Sequence, residues 1–255
     1  MNRLVKFWSQ SEGSQRPRAP SGVRLYAVGD IHGHGALLEQ MLAAIEQDIA
    51  QARPADNVLV FLGDLIDRGP SSAAVLERLR TLAGPFKSVF LTGNHEEVLI
   101  RILEGDDELV GDWLRFGGLE CAQSYGLEPE RLRAIGAAGA GEAVREAIPE
   151  AHQQFLRSFA DSFGAGDYLF VHAGIRPGVP LEQQSLTDLR WIRSPFLEYR
   201  HHHPKVVVHG HSISKDIDRR PGRIGVDTGA YRTGLLSAIV LDGAEQRVIQ
   251  VGNRR

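Results

Sequence analysis

Residues 63–69 read Gly-Asp-Leu-Ile-Asp-Arg-Gly and directly follow the apolar run Val-Leu-Val-Phe-Leu at residues 58–62. An unbroken apolar run of this length is typical of a buried strand. Two carboxylates and a guanidinium at the end of such a strand are costly to bury unless they have partners. In open α/β sheets, ligands bind at the carboxyl ends of the strands. The stretch therefore predicts a site that holds a cation and an anion side by side, such as a metal ion and a phosphate.

Two more strand–loop–helix units place polar residues where a predicted strand ends. Residues 23–28 form an apolar run ahead of Gly-Asp-Ile-His-Gly at 29–33, and a helical pattern follows. Residues 88–91 form a β-rich run ahead of Thr-Gly-Asn-His-Glu at 92–96, again followed by a helical pattern. Taken alone, Asp30 could equally cap a helix beside a histidine. Three units of one design indicate a single shared site at the strand ends.

Two later predicted strands end in histidine. Residues 167–171 precede His-Ala-Gly at 172–174, and residues 205–208 precede His-Gly-His-Ser at 209–212. A lone histidine after a strand is usually structural, whereas two of them, each followed by small residues, support membership of the same site. The three consecutive histidines at 201–203 diverge in direction and precede a proline, which favours an exposed loop.

The composition excludes several classes of protein. The 255 residues carry a formal net charge of −3, which gives no electrostatic reason to expect nucleic-acid binding. Cys121 is the single cysteine, so an internal disulfide and a thiolate metal cluster are both excluded. A reducing compartment fits this cysteine usage, and we expect a cytoplasmic protein. No apolar run has the length of a membrane span, so no stable membrane association is expected.

We expect one domain preceded by a flexible tail. Residues 1–22 are rich in serine, glutamine, proline and arginine and lack an apolar signal-peptide core, which predicts a flexible N-terminal tail. Residues 23–255 are predicted to form the domain. Within it, residues at about 106–163 lack strand-like runs and are rich in alanine, leucine, glutamate and arginine, which predicts a helical insertion that could cover the site. Its aromatic side chains are expected in the core: Trp113, Phe116 and Tyr125.

Five short motifs follow one another along the chain: Gly-Asp-x-His-Gly, Gly-Asp-x-x-Asp-Arg-Gly, Gly-Asn-His-Glu, His-Ala-Gly and Gly-His-Ser. Together they resemble the phosphoprotein phosphatase family of dinuclear metallophosphoesterases, in particular its bacterial and phage serine/threonine protein phosphatases. The resemblance covers about residues 23–242, and five motifs in order are far more specific than any one of them. It implies an α/β calcineurin-like metallophosphoesterase fold, in which a two-sheet β-sandwich is flanked by helices.

The resemblance implies two divalent metal ions with one bridging carboxylate. Carboxylates, imidazoles and an amide without thiolate suit Mn²⁺ best, with Fe and Zn²⁺ as further candidates. His34, Glu96 and His211 lie inside or beside the motifs, and we expect them to play supporting or structural roles. The implied ligands are Asp30, His32 and Asp64 for the first metal, and Asp64, Asn94, His172 and His209 for the second.

The resemblance also implies how the reaction would run. Arg68 and Arg193 would grip the phosphate oxygens with their planar forks, with Asn94 beside the substrate. The alternative for Arg193 is a surface salt bridge. His95 would be the general acid that protonates the leaving group, and Asp67 would orient it. A metal-bridging hydroxide would attack in line, so no phosphoenzyme is needed.

The activity implied is hydrolysis of phosphomonoesters, namely phosphoserine, phosphothreonine or also phosphotyrosine in proteins, so a phosphorylated protein or peptide is the expected partner. An alternative on the same core is a dinucleoside tetraphosphate hydrolase. The segment Gly-His-Ser-Ile-Ser is less similar to that subfamily, where a tryptophan commonly follows the histidine. A third alternative is a catalytically silent binding module, against which the presence of every expected ligand argues.

Overall fold

The computed structural model describes residues 16–253 together with the backbone of residues 4–6. Eleven strands form two mixed sheets, and ten helices accompany them in these parts of the chain. The strands are β1 Leu4–Lys6, β2 Val23–Val28, β3 Asp56–Phe61, β4 Lys87–Phe90, β5 Ser162–Ala165, β6 Tyr168–Val171, β7 Val206–His209, β8 Asp218–Arg220, β9 Arg223–Gly225, β10 Leu235–Asp242 and β11 Glu245–Gly252.

The helices fall into three groups along the chain, of which the last consists of α9, between β6 and β7, and α10, between β9 and β10. Three of them, α1 to α3, follow β2, β3 and β4, and five more, α4 to α8, lie between β4 and β5. The bounds are α1 Gly35–Gln51, α2 Ser72–Arg80, α3 Asn94–Leu103, α4 Val110–Trp113, α5 Leu119–Ser124, α6 Pro129–Ala134, α7 Gly136–Ala147, α8 Glu150–Arg157, α9 Leu186–Trp191 and α10 Ala230–Thr233.

The sheet topology places many strand ends at one edge. One sheet has the order β11-β10-β2-β3-β4, and the other has the order β1-β5-β6-β7-β9-β8. Strands β2, β3 and β4 run parallel in the first sheet, as do β6, β7 and β9 in the second. Because parallel neighbours end on the same side, each sheet delivers three loops to the same region.

Alternating side chains of the central strands build two cores. In β2, Leu25 and Ala27 face the second sheet, where Phe163 and Phe170 meet them. The alternate residues of β2, Tyr26 and Val28, point the other way and pack against α1 to α3. This alternation follows from the two-residue period of a strand. The predicted two-sheet sandwich flanked by helices is therefore confirmed.

The insertion and the tail differ from the sequence prediction at their edges. The helical segment ends at Arg157, and β5 begins at Ser162, inside the stretch predicted to be helical, because it pairs with β6 across a tight turn at Gly166. Residues 16–22, predicted as part of a flexible tail, pack on the domain, and Ala19 donates its N–H to the Gly243 carbonyl at 2.8 Å. Residues 4–6, also predicted as part of the tail, form β1, which pairs in parallel with β5. The rest of that prediction concerns residues 1–3 and 7–15, outside the described residues.

Within the described residues, none of the helices is both long enough and apolar enough to cross a bilayer.

Candidate active site

The loops that follow six strands meet at the edge of the two sheets where the parallel strands end. The loop after β3 can approach its neighbours because residue 63 is glycine: a Cβ there would lie 2.6 Å from the Gly93 nitrogen. The side chains delivered are Asp30 and His32 after β2, Asp64, Asp67 and Arg68 after β3, Asn94 and His95 after β4, His172 after β6, His211 after β7 and Asp227 after β9.

Strained backbone is concentrated in these loops. In the part of the chain that the structure describes, the non-glycine residues with positive φ are His32, Asp64, Asp67, Arg68 and His211. All five belong to the site. Residues other than glycine rarely adopt a positive φ. Such backbone strain persists only where the surrounding structure holds it in place, which is most often at functional sites. The fold therefore accepts a conformational cost to aim these side chains.

Two histidines are oriented by backbone carbonyls so that they offer a lone pair. His32 donates its Nδ1–H to the Ile66 carbonyl at 2.9 Å, and His172 donates its Nδ1–H to the Leu62 carbonyl at 2.8 Å. The Nε2 atom of each ring is then an acceptor. These atoms lie 3.5 Å and 3.4 Å from the Asp64 carboxylate, which sits between them. This is the usual arrangement of metal-binding histidines.

The donor atoms fit divalent cations. The Nε2 atom of His172 is 3.0 Å from Asn94 Oδ1 and 3.4 Å from Asp64 Oδ1. These three acceptors have no proton to share, so a cation among them would satisfy all of them. Two groups have donor atoms within 4.8 Å of one another: His32, Asp64 and His95, and Asp64, His172 and His211. Asp64 belongs to both, as expected of a bridging ligand.

The structure places His211, and not His209, at the site. The predicted ligand His209 ends β7 with its ring edge-on to Phe196 and its Nε2 atom 3.4 Å from Arg223 Nη1. His211 has its Nδ1 atom 2.9 Å from Asn94 Oδ1 and 3.2 Å from His172 Nε2. The structure thus brings His211 and not the predicted His209 to the donors, because the chain turns at residue 211, where φ is 59°. The Gly-His-Ser motif itself pointed to His211.

Burial controls the protonation of these histidines. Removal from water lowers the pKa of His32 and of His172, and it lowers the pKa of His211 to about 3. The rings are therefore neutral around pH 7, which is the form that binds a metal ion.

Buried carboxylates carry the negative charge of the site. Asp30 accepts the backbone N–H of His211 at 3.1 Å, and burial together with the carboxylates of Asp227 and Asp64 raises its pKa. Burial also raises the pKa of Asp227 to about 6. Asp227 was missed in the sequence because Gly-Val-Asp-Thr-Gly reads as an ordinary turn. Three carboxylates crowded in a buried site favour binding of multivalent cations.

His95 and Asp67 form a hydrogen-bonded pair, as predicted, and the helical segment adds a third member. The His95 Nδ1 atom lies 2.6 Å from Asp67 Oδ2, and the Trp113 indole N–H donates to the same oxygen at 3.1 Å. Burial alone would lower the pKa of His95, but the carboxylates of Asp64 and Asp67 outweigh it and raise the pKa to about 9. Trp113 is core, as expected, yet it also orients this pair.

The buried side chain of Glu96 connects the loop after β3 with the loop after β4. Its Oε2 atom accepts the N–H groups of Asp64 at 2.8 Å and Gly93 at 2.9 Å, and its Oε1 atom accepts that of Leu65 at 2.8 Å. Bonds to a charged acceptor are stronger than neutral ones. The side chain thus has the structural role expected of it.

A cavity of about 760 Å³ opens above the donor cluster. Arg68 lies at its base, 2.8 Å from His32 Nε2, and its guanidinium stacks 4.5 Å from the centre of the Tyr231 ring. Arg193 lines the same cavity, in agreement with its predicted position, and Arg232 adds a third guanidinium. The helical segment forms one wall. Arg232 and Tyr231 carry no recognisable signal in the sequence.

Fold and site together define a metallophosphoesterase: acceptors arranged for divalent cations, arginines beside them and a paired histidine. The model of the calcineurin-like phosphoesterase family matches residues 23–232. The chain therefore belongs to the calcineurin-like phosphoesterases.

Similar proteins come from curated sequences and solved structures. A symmetrical bis(5'-nucleosyl)-tetraphosphatase of Acidovorax sp. (strain JS42) is 35% identical over 153 residues, which are 60% of this chain and 44% of that relative. Less than half of that relative is thus matched. The asymmetrical bis(5'-nucleosyl)-tetraphosphatase PrpE of Anoxybacillus flavithermus is 24% identical and covers 83% of this chain and 88% of its own. The crystal structure of a candidate diadenosine tetraphosphatase superimposes with a TM-score of 0.67 at 21% identity, covering 99% of both chains.

Replacing His211 or His209 with alanine, one at a time, tests which of the two is a metal ligand. His211→Ala is expected to lower bound divalent metal by about one ion per chain, because it removes a donor that faces Asn94 and His172. His209→Ala is the matched control, since His209 packs against Phe196 away from the donors. The two variants are compared by their metal content after dialysis, measured by inductively coupled plasma mass spectrometry. Equal metal loss in both variants would contradict the assignment of His211.

Proposed function

We propose that this protein hydrolyses a phosphoanhydride bond of a dinucleoside tetraphosphate, using two divalent metal ions. The observation that carries the proposal is the cavity of about 760 Å³, which is lined by the donors Asp64, Asn94 and His211 and by three arginines, Arg68, Arg193 and Arg232. Arg68 and Arg193 suffice for the single phosphoryl group of a phosphomonoester, whereas a tetraphosphate chain brings further charged oxygens that need a partner such as Arg232.

The relatives support the same substrate class. The Acidovorax and Anoxybacillus proteins carry the name bis(5'-nucleosyl)-tetraphosphatase. The sequence prediction placed phosphoproteins first and the dinucleoside tetraphosphate second, and these names favour the reverse order. The tryptophan that commonly follows the last histidine of that subfamily is Ser212 here. That difference alone does not outweigh the similarity of the rest of the chain.

The metal ligands proposed are Asp30, His32, Asp64, Asn94, His172 and His211. Carboxylate, imidazole and amide donors suit Mn²⁺, with Fe and Zn²⁺ as further candidates. Two such ions would supply Lewis acidity toward the phosphoryl group and would lower the pKa of water.

The side chains of this chain perform the remaining steps. Arg68 and Arg193 bind the oxygens of the phosphoryl group and hold it in line for attack. His95, protonated and 3.9 Å from Asp64, holds a proton at Nε2 for the leaving oxygen. Asp67 and Trp113 hold the His95 ring in that orientation.

The proposal is tested by comparing substrates under one set of conditions. Metal-stripped protein is refilled with Mn²⁺ and assayed for kcat/KM on diadenosine tetraphosphate and on phosphoserine, phosphothreonine and phosphotyrosine peptides. We expect a preference of about tenfold or more for the dinucleotide, which corresponds to about 1.4 kcal/mol of transition-state discrimination. Chromatography of the products distinguishes symmetrical cleavage to two ADP from asymmetrical cleavage to ATP and AMP. A preference for the peptides would overturn the proposal and restore a protein phosphatase.

A further inference from the structure

Exposed apolar side chains are concentrated at the mouth of the active-site cavity. Three large ones line it: Phe116 is 65% exposed, Trp191 42% and Ile213 40%. Elsewhere in the described residues, Ile135, Leu186 and Val248 are exposed singly. Single exposed apolar residues are normal, whereas several around one concavity mark a surface that another molecule covers.

Trp191 is held in place with much of its ring left open. It is the last residue of α9, and its indole N–H donates to Glu97 Oε2 at 2.9 Å. Arg190 pairs with the same oxygen at 3.4 Å, so Glu97 itself is fixed. Arg193 follows two residues later and lines the cavity. An aromatic surface and a phosphate-binding guanidinium are therefore presented by one short segment.

Phe116 is positioned by a break in the helical segment. The turn of π-helix Leu114–Gly118 is interrupted at Phe116 and at Gly117, which has φ 115°. The Gly117 carbonyl accepts the N–H of Arg68 at 2.8 Å, and a Cβ at residue 117 would lie 2.5 Å from Arg68 Cγ. Glycine is therefore required there, and the break ties Phe116 to the backbone of the arginine at the base of the cavity.

We propose that Phe116 and Trp191 are the stacking surfaces for the nucleobases of the substrate. Each aromatic is tied through the backbone to an arginine of the cavity: the residue after Phe116 bonds the Arg68 N–H, and Trp191 precedes Arg193 by two residues, so base and phosphate would be bound by neighbouring segments. Bases stack on aromatic rings without regard to sequence, because every base has a π face. This inference rests on the proposed function, since it assumes a nucleotide substrate with aromatic ends beside its phosphates.

Variants of the two aromatics test the inference through the binding of a base. Phe116→Ala and Trp191→Ala should each raise KM for diadenosine tetraphosphate about tenfold, the effect of losing one stacked base. The inhibition constant of inorganic tetraphosphate, which has no base, should change less than twofold. Trp191→Phe and Phe116→Tyr keep a ring and should restore KM to within about threefold, whereas Trp191→Leu should not.

Two matched controls come from the same segments. Leu186→Ala alters an exposed residue of the helix that carries Trp191, and Ile135→Ala alters one in the segment that carries Phe116. Unchanged KM in both, beside the expected rise in the aromatic variants, supports the inference. If wild-type protein hydrolyses the dinucleotide but the aromatic variants match these controls, the inference is overturned and the proposed function stands. An equal loss of affinity for the dinucleotide and for inorganic tetraphosphate also overturns the inference. A wild-type protein inactive on the dinucleotide overturns both.

Discussion

Asp64→Asn is expected to lower kcat/KM by about 10³-fold in a metal-replete assay. Its carboxylate lies between two groups of metal-binding donors, with Oδ2 3.5 Å from His32 Nε2 and Oδ1 3.4 Å from His172 Nε2. An amide has only one oxygen and no negative charge, so it cannot bridge two cations. Stabilisation of phosphoryl charge by metal ions amounts to several kcal/mol, and about 4 kcal/mol corresponds to a thousandfold in rate.

A second measurement on the same variant separates metal loss from unfolding. Addition of Mn²⁺ should raise the Tm of the wild-type protein, because a ligand that binds only the folded state stabilises it. The gain should be smaller for Asp64→Asn. Asp112→Asn is the matched control, since Asp112 lines the same cavity but is largely exposed and pairs with Arg115 at 3.3 Å. Full activity of Asp64→Asn with a normal metal-induced Tm gain would contradict a bridging role.

The residues that the sequence placed well are those whose position follows from strand ends alone. Asp30, Asp64 and Asn94 each lie within four residues of the end of a strand of one parallel group. Since parallel strands must end on the same side, a polar residue at each end implies a common site. His172 follows the same logic in the second sheet. This inference needs no side-chain geometry, which is why it can be made from sequence.

The two histidines His209 and His211 show the limit of predicting site residues from strand ends. His209 ends β7 and His211 follows two residues later, and both are followed by small residues, so the sequence pattern cannot choose between them. The choice depends on a turn with φ 59° at His211, which is stabilised by contacts with Asn94 at the start of α3 and with Asp30 in the loop after β2. A backbone conformation fixed by tertiary contacts leaves no periodic signal in the sequence.

The cavity wall was not predictable for a related reason. Composition identified a helical segment, and aromatic residues in such a segment usually lie in a core. Phe116 is instead 65% exposed because the helix breaks at Gly117 to receive the Arg68 N–H. Trp113 does lie in the core, yet its indole N–H reaches Asp67. Both outcomes depend on how the segment docks on the loop after β3, which local pattern does not encode.

His95→Asn is expected to have an effect that depends on the leaving group. A general acid contributes about 10²- to 10⁴-fold when the departing oxygen is basic, because that oxygen must gain a proton as the bond breaks. We therefore expect a loss of about 10³-fold on an alkyl phosphomonoester such as a phosphoserine peptide. The loss should be much smaller, about tenfold, on p-nitrophenyl phosphate and on diadenosine tetraphosphate, whose leaving groups are stable as anions.

This pattern distinguishes acid catalysis from metal binding, because the Nε2 atom of His95 also lies 3.9 Å from Asp64. A lost metal ligand would weaken the reaction on all substrates alike and would lower metal content. Asp67→Asn should reproduce the leaving-group dependence more weakly, because Asp67 acts through His95, whose ring it holds at 2.6 Å and whose pKa it helps to raise. His152→Asn controls for the loss of a buried imidazole, since His152 bonds Tyr125 and Glu77 instead. Equal losses on good and poor leaving groups would remove His95 from the acid role and make it a metal ligand.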